Sequence, residues 1–224
     1  NADEHPDSKA NMLVRNVLKI HKERGGTTSQ LIFSDVGVNP TEPGKNRNTG
    51  EMHSGGFHLY GDIINKLVAG GIPREKIADF SKMKDDERDE AMAKMKRGEM
   101  LIGIGSTERM GTGVNVQDKL SDMHHLDVPW KPADIEQRDG RGHRQGNLND
   151  PTKKAKDQIV NVHRYVTEGS LDQFFWNLVG KKAKFIAQTI HAGANAGRIV
   201  DDDDTEQMSP DEFAAASSGD QRLM

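Results

Sequence analysis

Five short apolar runs set the frame of this chain: QLIFS at 30–34, IADF at 77–80, MLIGIG at 100–105, MHHLDV at 123–128 and VNVHRYV at 160–166. Each has the length of a buried strand, and the stretches between them carry helical periodicity. Residues 8–24 place Met12, Leu13, Val17, Leu18 and Ile20 on or near one face before Gly25-Gly26 stops the pattern. Residues 57–69 do the same through Leu59, Ile63, Ile64, Leu67 and Val68, and residues 85–97 turn Ala91, Met92 and Met95 inward from a charged surface. A helix is predicted over 133–140, with Asp134 and Glu136 in its first turn facing the positive end of the dipole. A longer one is predicted over 170–188, carrying Leu171, Phe174, Phe175, Leu178, Phe185 and Ile186. Strands alternating with helices in this way predict an α/β fold, a parallel sheet with helices on both faces.

The bulk numbers narrow the function classes. There are no cysteines, which removes disulfides and thiolate metal sites and fits a reducing compartment. No apolar stretch is long enough for a membrane span and no secretory segment opens the chain. A cytoplasmic protein, away from the membrane, is therefore expected. The formal net charge of -4 does not advertise nucleic-acid binding, but the charges are segregated. Arg138, Arg141, Arg144, Lys153, Lys154 and Lys156 crowd one segment, while Asp201–Asp204 open an acidic tail. A local basic face binds phosphate whatever the overall sign. Residues 37–56 are Gly, Pro, Asn, Thr and Lys with almost no apolar content and read as a long loop. The domain plan is a short extension or tag remnant at 1–7, one α/β lobe at 8–198, and an acidic tail at 199–224 in which MSPDEFAAA fits a short capped helix.

Two stretches carry candidate chemistry. In IEQRDGRGHRQGN, Arg141 and Arg144 lie three apart on a predicted helix and project from one side, with Gly140 leaving room for close approach. Two planar, permanently charged forks aimed at one point suit a triphosphate in which charge spreads over the γ-phosphoryl oxygens. By spacing alone, Arg-x-x-Arg reads better as the end of a solvated basic helix, because the pattern is common. In LIGIGSTERMGTGVNVQ, a buried strand delivers Ser106 and Thr107 at its C-terminal end, where open α/β sheets place ligands. Gly111 and Gly113 then permit a tight path whose N–H groups can meet phosphates, although glycine-rich loops after strands are also ordinary turns.

In this order and separation, the two stretches resemble the fifth and sixth helicase motifs of superfamily 2, in its Swi/Snf branch. Gln137, Gly140, Arg141 and Arg144 match the Gln-x-x-Gly-Arg-x-x-Arg pattern, and Gly113 and Asn115 match the Gly-x-Asn close of the fifth motif. QLIFSD resembles the fourth motif, LDVPWKPADIEQR the step before the sixth, and VNVHRYVTEGSLDQFFWNLVGKK the strand and helix that close such a lobe. The likeness runs from about Ser8 to Ile190. LYGDIINKLVAGGIPREKIADF, HHLDVPW and GHRQGN further resemble the helicase–methylase polypeptides of phages and conjugative elements.

The resemblance implies a C-terminal RecA-like lobe, one half of an ATP-driven DNA helicase or translocase. It implies that Arg141 and Arg144 are arginine fingers at an ATP and Mg2+ site shared with an N-terminal P-loop lobe, with Gln137 near the γ-phosphate. It places Gly111, Gly113, Asn115 and Gly140 at the ATP site or lobe interface, and Ser34, Ser106 and Thr107 on the DNA backbone. An adenine-specific DNA methyltransferase is the implied fused partner. Glu108, Arg109 and Met110 depart from the commoner fifth motif. No segment reads G-x-x-x-x-G-K-[ST] and no Asp-Glu pair ends an apolar strand, so a chain of this sequence alone is not expected to hydrolyse ATP efficiently.

Other signals point elsewhere or nowhere. Of nine histidines, His124 and His125 are adjacent on a predicted strand and face opposite sides, which argues against one shared ion. His53 and His58 lack a third ligand, and no metal site is expected. Trp130 between prolines fits a core edge better than a base-stacking platform. The competing function is a DNA-binding or protein-docking module that kept the fold without the motor; converging arginines argue against it, since a scaffold has no use for them.

Overall fold

The computed structural model describes residues 5–36, 44–45, 52–53, 58–111, 116–129, 131–140, 158–167 and 170–192. By contacts the chain divides into two compact units, Asn1–Asp127 with Glu136–Tyr165, and Val128–Ile135 with Val166–Met224.

The first unit opens with helix α1, Lys9–Glu23. The Ser8 hydroxyl caps it by accepting from the Asn11 N–H at 3.3 Å, and the chain then leaves through Gly25 and Gly26, both at positive φ. Strand β1, Ser29–Phe33, is buried on both faces. Within the stretch predicted as a loop, β2 (Gly44–Lys45) and β3 (Met52–His53) form a short antiparallel ladder; the rest of that stretch lies outside the described residues. Helix α2, Leu59–Ala69, is capped by His58, whose Nδ1 accepts from the Gly61 N–H at 2.9 Å.

After β4, Ile77–Asp79, comes α3, Asp85–Arg97, with the predicted limits and with Ala91, Met92 and Met95 buried. Acidic residues occupy its first turn and basic residues its last, and Gly98 closes it at φ 79°. Then follow β5 (Ile102–Gly105), the short α4 (Thr107–Gly111), β6 (Leu120–His125), α5 (Pro132–Asp139), β7 (Asn161–Arg164) and, in the second unit, α6 (Leu171–Ala192).

The five long strands form one sheet in the order β4-β5-β1-β6-β7, every pairing parallel. Alternation along each strand sorts the core into two layers. Ile32, Ile102 and Ile104 pack under α1 and α2 with Leu13, Val17, Ile63 and Leu67. Leu31, Phe33, Ala78 and Met123 pack under α3 with Ala91, Met92 and Met95. Helices therefore cover both faces, as the strand–helix alternation predicts.

Three sequence expectations shift. Met12 is exposed at the rim of α1, because the burying stripe runs through Ala10, Leu13, Val14 and Val17 instead. The strand expected at 123–128 begins at Leu120 and ends at His125. Arg138 is not part of a basic surface: it is 0% exposed. No helix among the described residues is long and apolar enough to cross a membrane.

Candidate functional site

Parallel pairing brings the C-terminal ends of β1, β5 and β6 to one edge. Phe33 stands opposite Gly105 on one side and His125 on the other. The ladder continues one step further, with the Ser34 N–H on the Gly105 carbonyl at 3.1 Å and the Leu126 N–H on the Phe33 carbonyl at 3.0 Å. The turn Ser34-Asp35-Val36, the pair Ser106-Thr107 and Asp127 thus share the edge where open α/β sheets hold ligands.

These tips are locked together by charge. Asp127 Oδ2 accepts from the Ser34 hydroxyl at 2.9 Å and from the N–H groups of Asp35 and Val36. Asp35 accepts from Thr107 twice, from its N–H at 2.7 Å and its hydroxyl at 2.9 Å. Arg138, on α5, closes the set. Its Nη2 donates to Asp35 at 2.7 Å and to Asp127 at 3.0 Å, its Nη1 to the Asp127 carbonyl at 3.1 Å, and its Nε to the Thr107 hydroxyl at 2.7 Å. The guanidinium lies 5.6 Å from the Phe33 ring centroid, and the Tyr60 hydroxyl donates to the Ser34 carbonyl. Burial and then the carboxylates of Asp127 and Asp35 push the Tyr60 hydroxyl well above its ordinary range, so it stays protonated and a donor.

Residues 73–146 match the family described as the helicase conserved C-terminal domain. Across half the chain, 112 residues are 31% identical to defense against restriction protein B of Escherichia phage P1. A stretch of 115 residues, 51% of the chain, is 26% identical to the mouse DNA annealing helicase and endonuclease ZRANB3. The chain is thus similar to the C-terminal lobe of superfamily 2 helicases of Swi/Snf type. The matched stretches are 4% and 10% of those relatives' lengths, so the chain corresponds to a small part of each. The fold agrees: the C-terminal part of the Fun30 ATPase domain superposes with a TM-score of 0.54 at 20% identity, over 80% of this chain and 47% of that one.

The structure of the lobe sorts the sequence candidates. Ser34, Ser106 and Thr107 come together at the sheet edge, but their side chains turn inward, at 0%, 7% and 7% exposure. The Ser106 hydroxyl accepts from the Arg109 N–H at 3.2 Å and so caps α4. Gln137 is half-buried on α5, and Gly111 ends α4. Gly140 ends α5 with its N–H on the Glu136 carbonyl at 2.8 Å, and a Cβ there would stand 2.9 Å from that oxygen. Gly113, Asn115, Arg141 and Arg144 lie outside the described residues.

Sequence reasoning left Asp35 and Asp127 without roles and counted Arg138 in a basic surface. A signal existed for the two aspartates, since each directly follows an apolar run at the ligand-bearing end of a strand. Arg138 offered none, because a lone arginine on a short helix reads as surface.

A second polar cluster sits mid-sheet beneath α1. His124 is fully buried, with Nε2 2.9 Å from Gln30 Oε1 and Nδ1 2.9 Å from the Tyr165 hydroxyl. Gln30 Nε2 donates to the Val17 carbonyl, which leaves Oε1 toward His124, so His124 Nε2 carries the proton and Nδ1 accepts from Tyr165. Asn16 donates to that same hydroxyl at 3.1 Å. Every donor finds an acceptor with the imidazole neutral, and burial holds its pKa down at about 3. His163 stacks on His124 at 4.8 Å and meets Asp122 at 2.8 Å. His125 points to the other face, against Phe33 at 5.6 Å, as alternation requires. No group of three His, Asp or Glu among the described residues could hold a metal ion.

Proposed function

We propose that the lobe is one half of an ATP-driven DNA translocase or helicase, closing on ATP and Mg2+ held by an N-terminal P-loop lobe. The observation that carries this reading is the convergence of the fourth-, fifth- and sixth-motif segments on one edge of the sheet through Asp35, Thr107, Asp127 and Arg138. That edge is where nucleotide and strand would meet between two such lobes.

In this reading the helix that carries Gln137 leads directly into Arg141 and Arg144. Those two forks supply positive charge to the γ-phosphate, with Gln137 beside them. ATP, when bound, would supply the γ-phosphoryl group on which the lobes close and whose transfer to water would let them open again. Gly111, Gly113, Asn115 and Gly140 keep the interface between lobes narrow. The hydroxyls of Ser34 and Thr107 are committed to Asp127, Asp35 and Arg138. We therefore assign them the shaping of the turns that meet the DNA backbone, rather than a direct grip on phosphate. Binding of this kind is independent of sequence and weakens steeply with salt. The named activities of the relatives, a DNA annealing helicase and a protein of restriction defence, favour DNA as the track. A fused adenine-specific methyltransferase belongs to the same proposal, through the likeness to helicase–methylase polypeptides.

The test is DNA-stimulated ATPase activity of the lobe joined to its P-loop lobe, with Arg141→Ala plus Arg144→Ala as the comparison. Turnover is expected to fall on the order of a thousand-fold with ATP binding retained. Unchanged turnover overturns the assignment and leaves a docking or DNA-binding module.

A further inference from the structure

We propose that the end of the first unit opposite the candidate site, where the strands begin, is a separate nucleic-acid surface that takes the phosphodiester backbone of duplex DNA. The proposal goes beyond the motor reading and does not rest on it.

The fold gathers cations at this end. Each of α1, α2 and α3 runs into the start of a strand, and because the strands are all parallel the three helices finish together. Backbone bonds tie the strand starts to one another. The Gln30 N–H meets the Leu101 carbonyl and the Leu101 N–H meets the Lys76 carbonyl, each at 2.8 Å, and Ser29 stands opposite Leu120. Arg24 follows α1, Arg74 and Lys76 precede β4, and Lys119 precedes β6. The Lys119 Nζ lies beside the end of α3, 3.2 Å from where a Cβ on Gly98 would stand.

Cations in the last turn of a helix answer its dipole, which accounts for Lys22 on α1 and for Lys94, Lys96 and Arg97 on α3. Arg24, Arg74, Lys76 and Lys119 lie beyond those helices and need another reason. The carboxylates at this end are already engaged: Glu99 holds Arg97 at 2.5 Å, Asp118 faces Lys96 at 3.8 Å and Glu23 faces Lys19 at 3.9 Å. Among the described residues, Lys22, Arg24, Arg74, Lys76 and Lys119 meet no carboxylate within ion-pair distance. Three of these, Arg24, Lys76 and Lys119, are half-buried. A cation drawn partly out of water without a counter-ion costs stability, and an anion from outside the chain recovers it.

The arrangement selects the anion. The cations are spread across the starts of neighbouring strands, each about 4.8 Å from the next, rather than aimed at one point. Spaced, flexible charges suit phosphates repeated along a backbone, and they grip it without reading bases. Between the ends of α1 and α2, a groove lined by Lys19, Lys22, Gly25, Gly26, Gly70 and Gly71 offers flanks almost bare of side chains, so a sugar–phosphate strand can come close. Strand β1 is five residues long, which sets this end roughly 17 Å from the candidate site. A duplex held at that site leaves the basic end open.

The experiment uses the two-lobe polypeptide and a short, fluorescently labelled DNA duplex over a range of salt. Binding and ATPase stimulation are read in the same samples. The variant combines Lys22→Gln, Arg24→Gln, Lys76→Gln and Lys119→Gln. Duplex binding that does not stimulate the ATPase is expected to weaken on the order of ten-fold or more, with its slope of log affinity against log salt reduced by about 3. The duplex concentration for half-maximal stimulation is expected to change by less than about two-fold, and the thermal unfolding midpoint to hold. Superposed isotherms for wild type and variant overturn the proposal. So does a loss confined to ATPase stimulation, which would place these cations on the motor's own track. A variant that binds duplex normally but has lost binding to polyglutamate overturns it too, in favour of an acidic protein. Should the fourfold variant not fold, Lys22→Gln plus Arg74→Gln, both at exposed positions, decides through the same slope. If duplex never stimulates the ATPase, the motor reading fails and the binding comparison still decides this one.

Discussion

Arg138 and Asp127 stand eleven positions apart in the chain and are joined twice, from Nη2 to the carboxylate at 3.0 Å and from Nη1 to the main-chain carbonyl at 3.1 Å. The second bond is indifferent to the charge of Asp127 and fixes where the guanidinium lies; the first balances its charge. With Asp35 also at 2.7 Å, one cation faces two carboxylates, and Asp127 draws three further donors from the β1 turn.

Removing the cation should therefore be far worse than removing any single donor. Arg138→Ala leaves the buried Asp127 carboxylate without its cation and beside the partly exposed Asp35, an expected loss of about 3 kcal/mol. Thr107→Val deletes one hydroxyl between Asp35 and Arg138 and is expected to lose about 1–3 kcal/mol. Urea unfolding checks both, as lower midpoints at an unchanged slope. Equal midpoints for the two variants would mean that the buried charge is not the dominant element.

His124 makes stability depend on pH in a direction the structure determines. Folded, its pKa is about 3; unfolded, it returns to the ordinary 6.5. Between those values the unfolded chain binds a proton that the folded one refuses, so the stabilisation is fully present above pH 6.5 and is lost as pH falls toward 3. Lowering pH from 7 to 5.5 should cost about 1 kcal/mol from this residue. Burial lowers the pKa of His125 too, adding to the same trend. Unfolding free energies of the wild type and His124→Gln at pH 7 and 5.5 are the check. The variant should show the smaller drop, and identical drops would remove His124 as the cause.

The sequence carried the elements further than the site. Residues 85–97 were legible to the residue because charge, periodicity and a following glycine agree on one answer. The strand at Leu120–His125 was misplaced because Ser121 and Asp122 read as surface. Both are buried, the first bonded to Thr28 and the second to Asn161 and His163. A strand covered on both faces has no alternation to betray its ends. The Arg138 network was illegible for a related reason. Asp35 and Arg138 lie 103 positions apart, and nothing local says that an arginine on a short helix will be dry. Motif order located the edge of the sheet; only the register of β1 with β5 and β6 places Asp35, Thr107 and Asp127 within reach of one guanidinium.

Gly103 is expected to be intolerant of any side chain. It sits in the middle of β5, opposite Leu31 on one side and Ala78 on the other. A Cβ there would come 2.8 Å from the Phe80 ring, 2.9 Å from Leu31 and 3.1 Å from the Met95 sulfur. Three buried side chains would have to move together in a close-packed layer. Gly103→Ala should lose about 1–3 kcal/mol as overpacking, despite the better strand entropy of alanine. Thermal unfolding measures it, and a stabilised variant would show that the α3 layer is looser than these distances imply.

Gly140→Ala should separate stability from turnover. The added Cβ would meet the Glu136 carbonyl oxygen at 2.9 Å, and that oxygen is backbone, so the end of α5 must shift rather than a side chain. Arg138 and Asp139 are held upstream by bonds that do not pass through Gly140, so the strain is expected at the helix end itself. The unfolding free energy is expected to change by only about 1 kcal/mol. In the two-lobe protein, the proposed finger role of Arg141 predicts a fall in DNA-stimulated kcat on the order of ten-fold or more, because misplacing a catalytic group by a fraction of an ångström is expensive. KM for ATP should stay near its wild-type value, since in the proposed reading the P-loop lobe holds the nucleotide. Normal kcat in a folded Gly140→Ala would show that the segment beyond α5 takes its position from contacts other than the helix end.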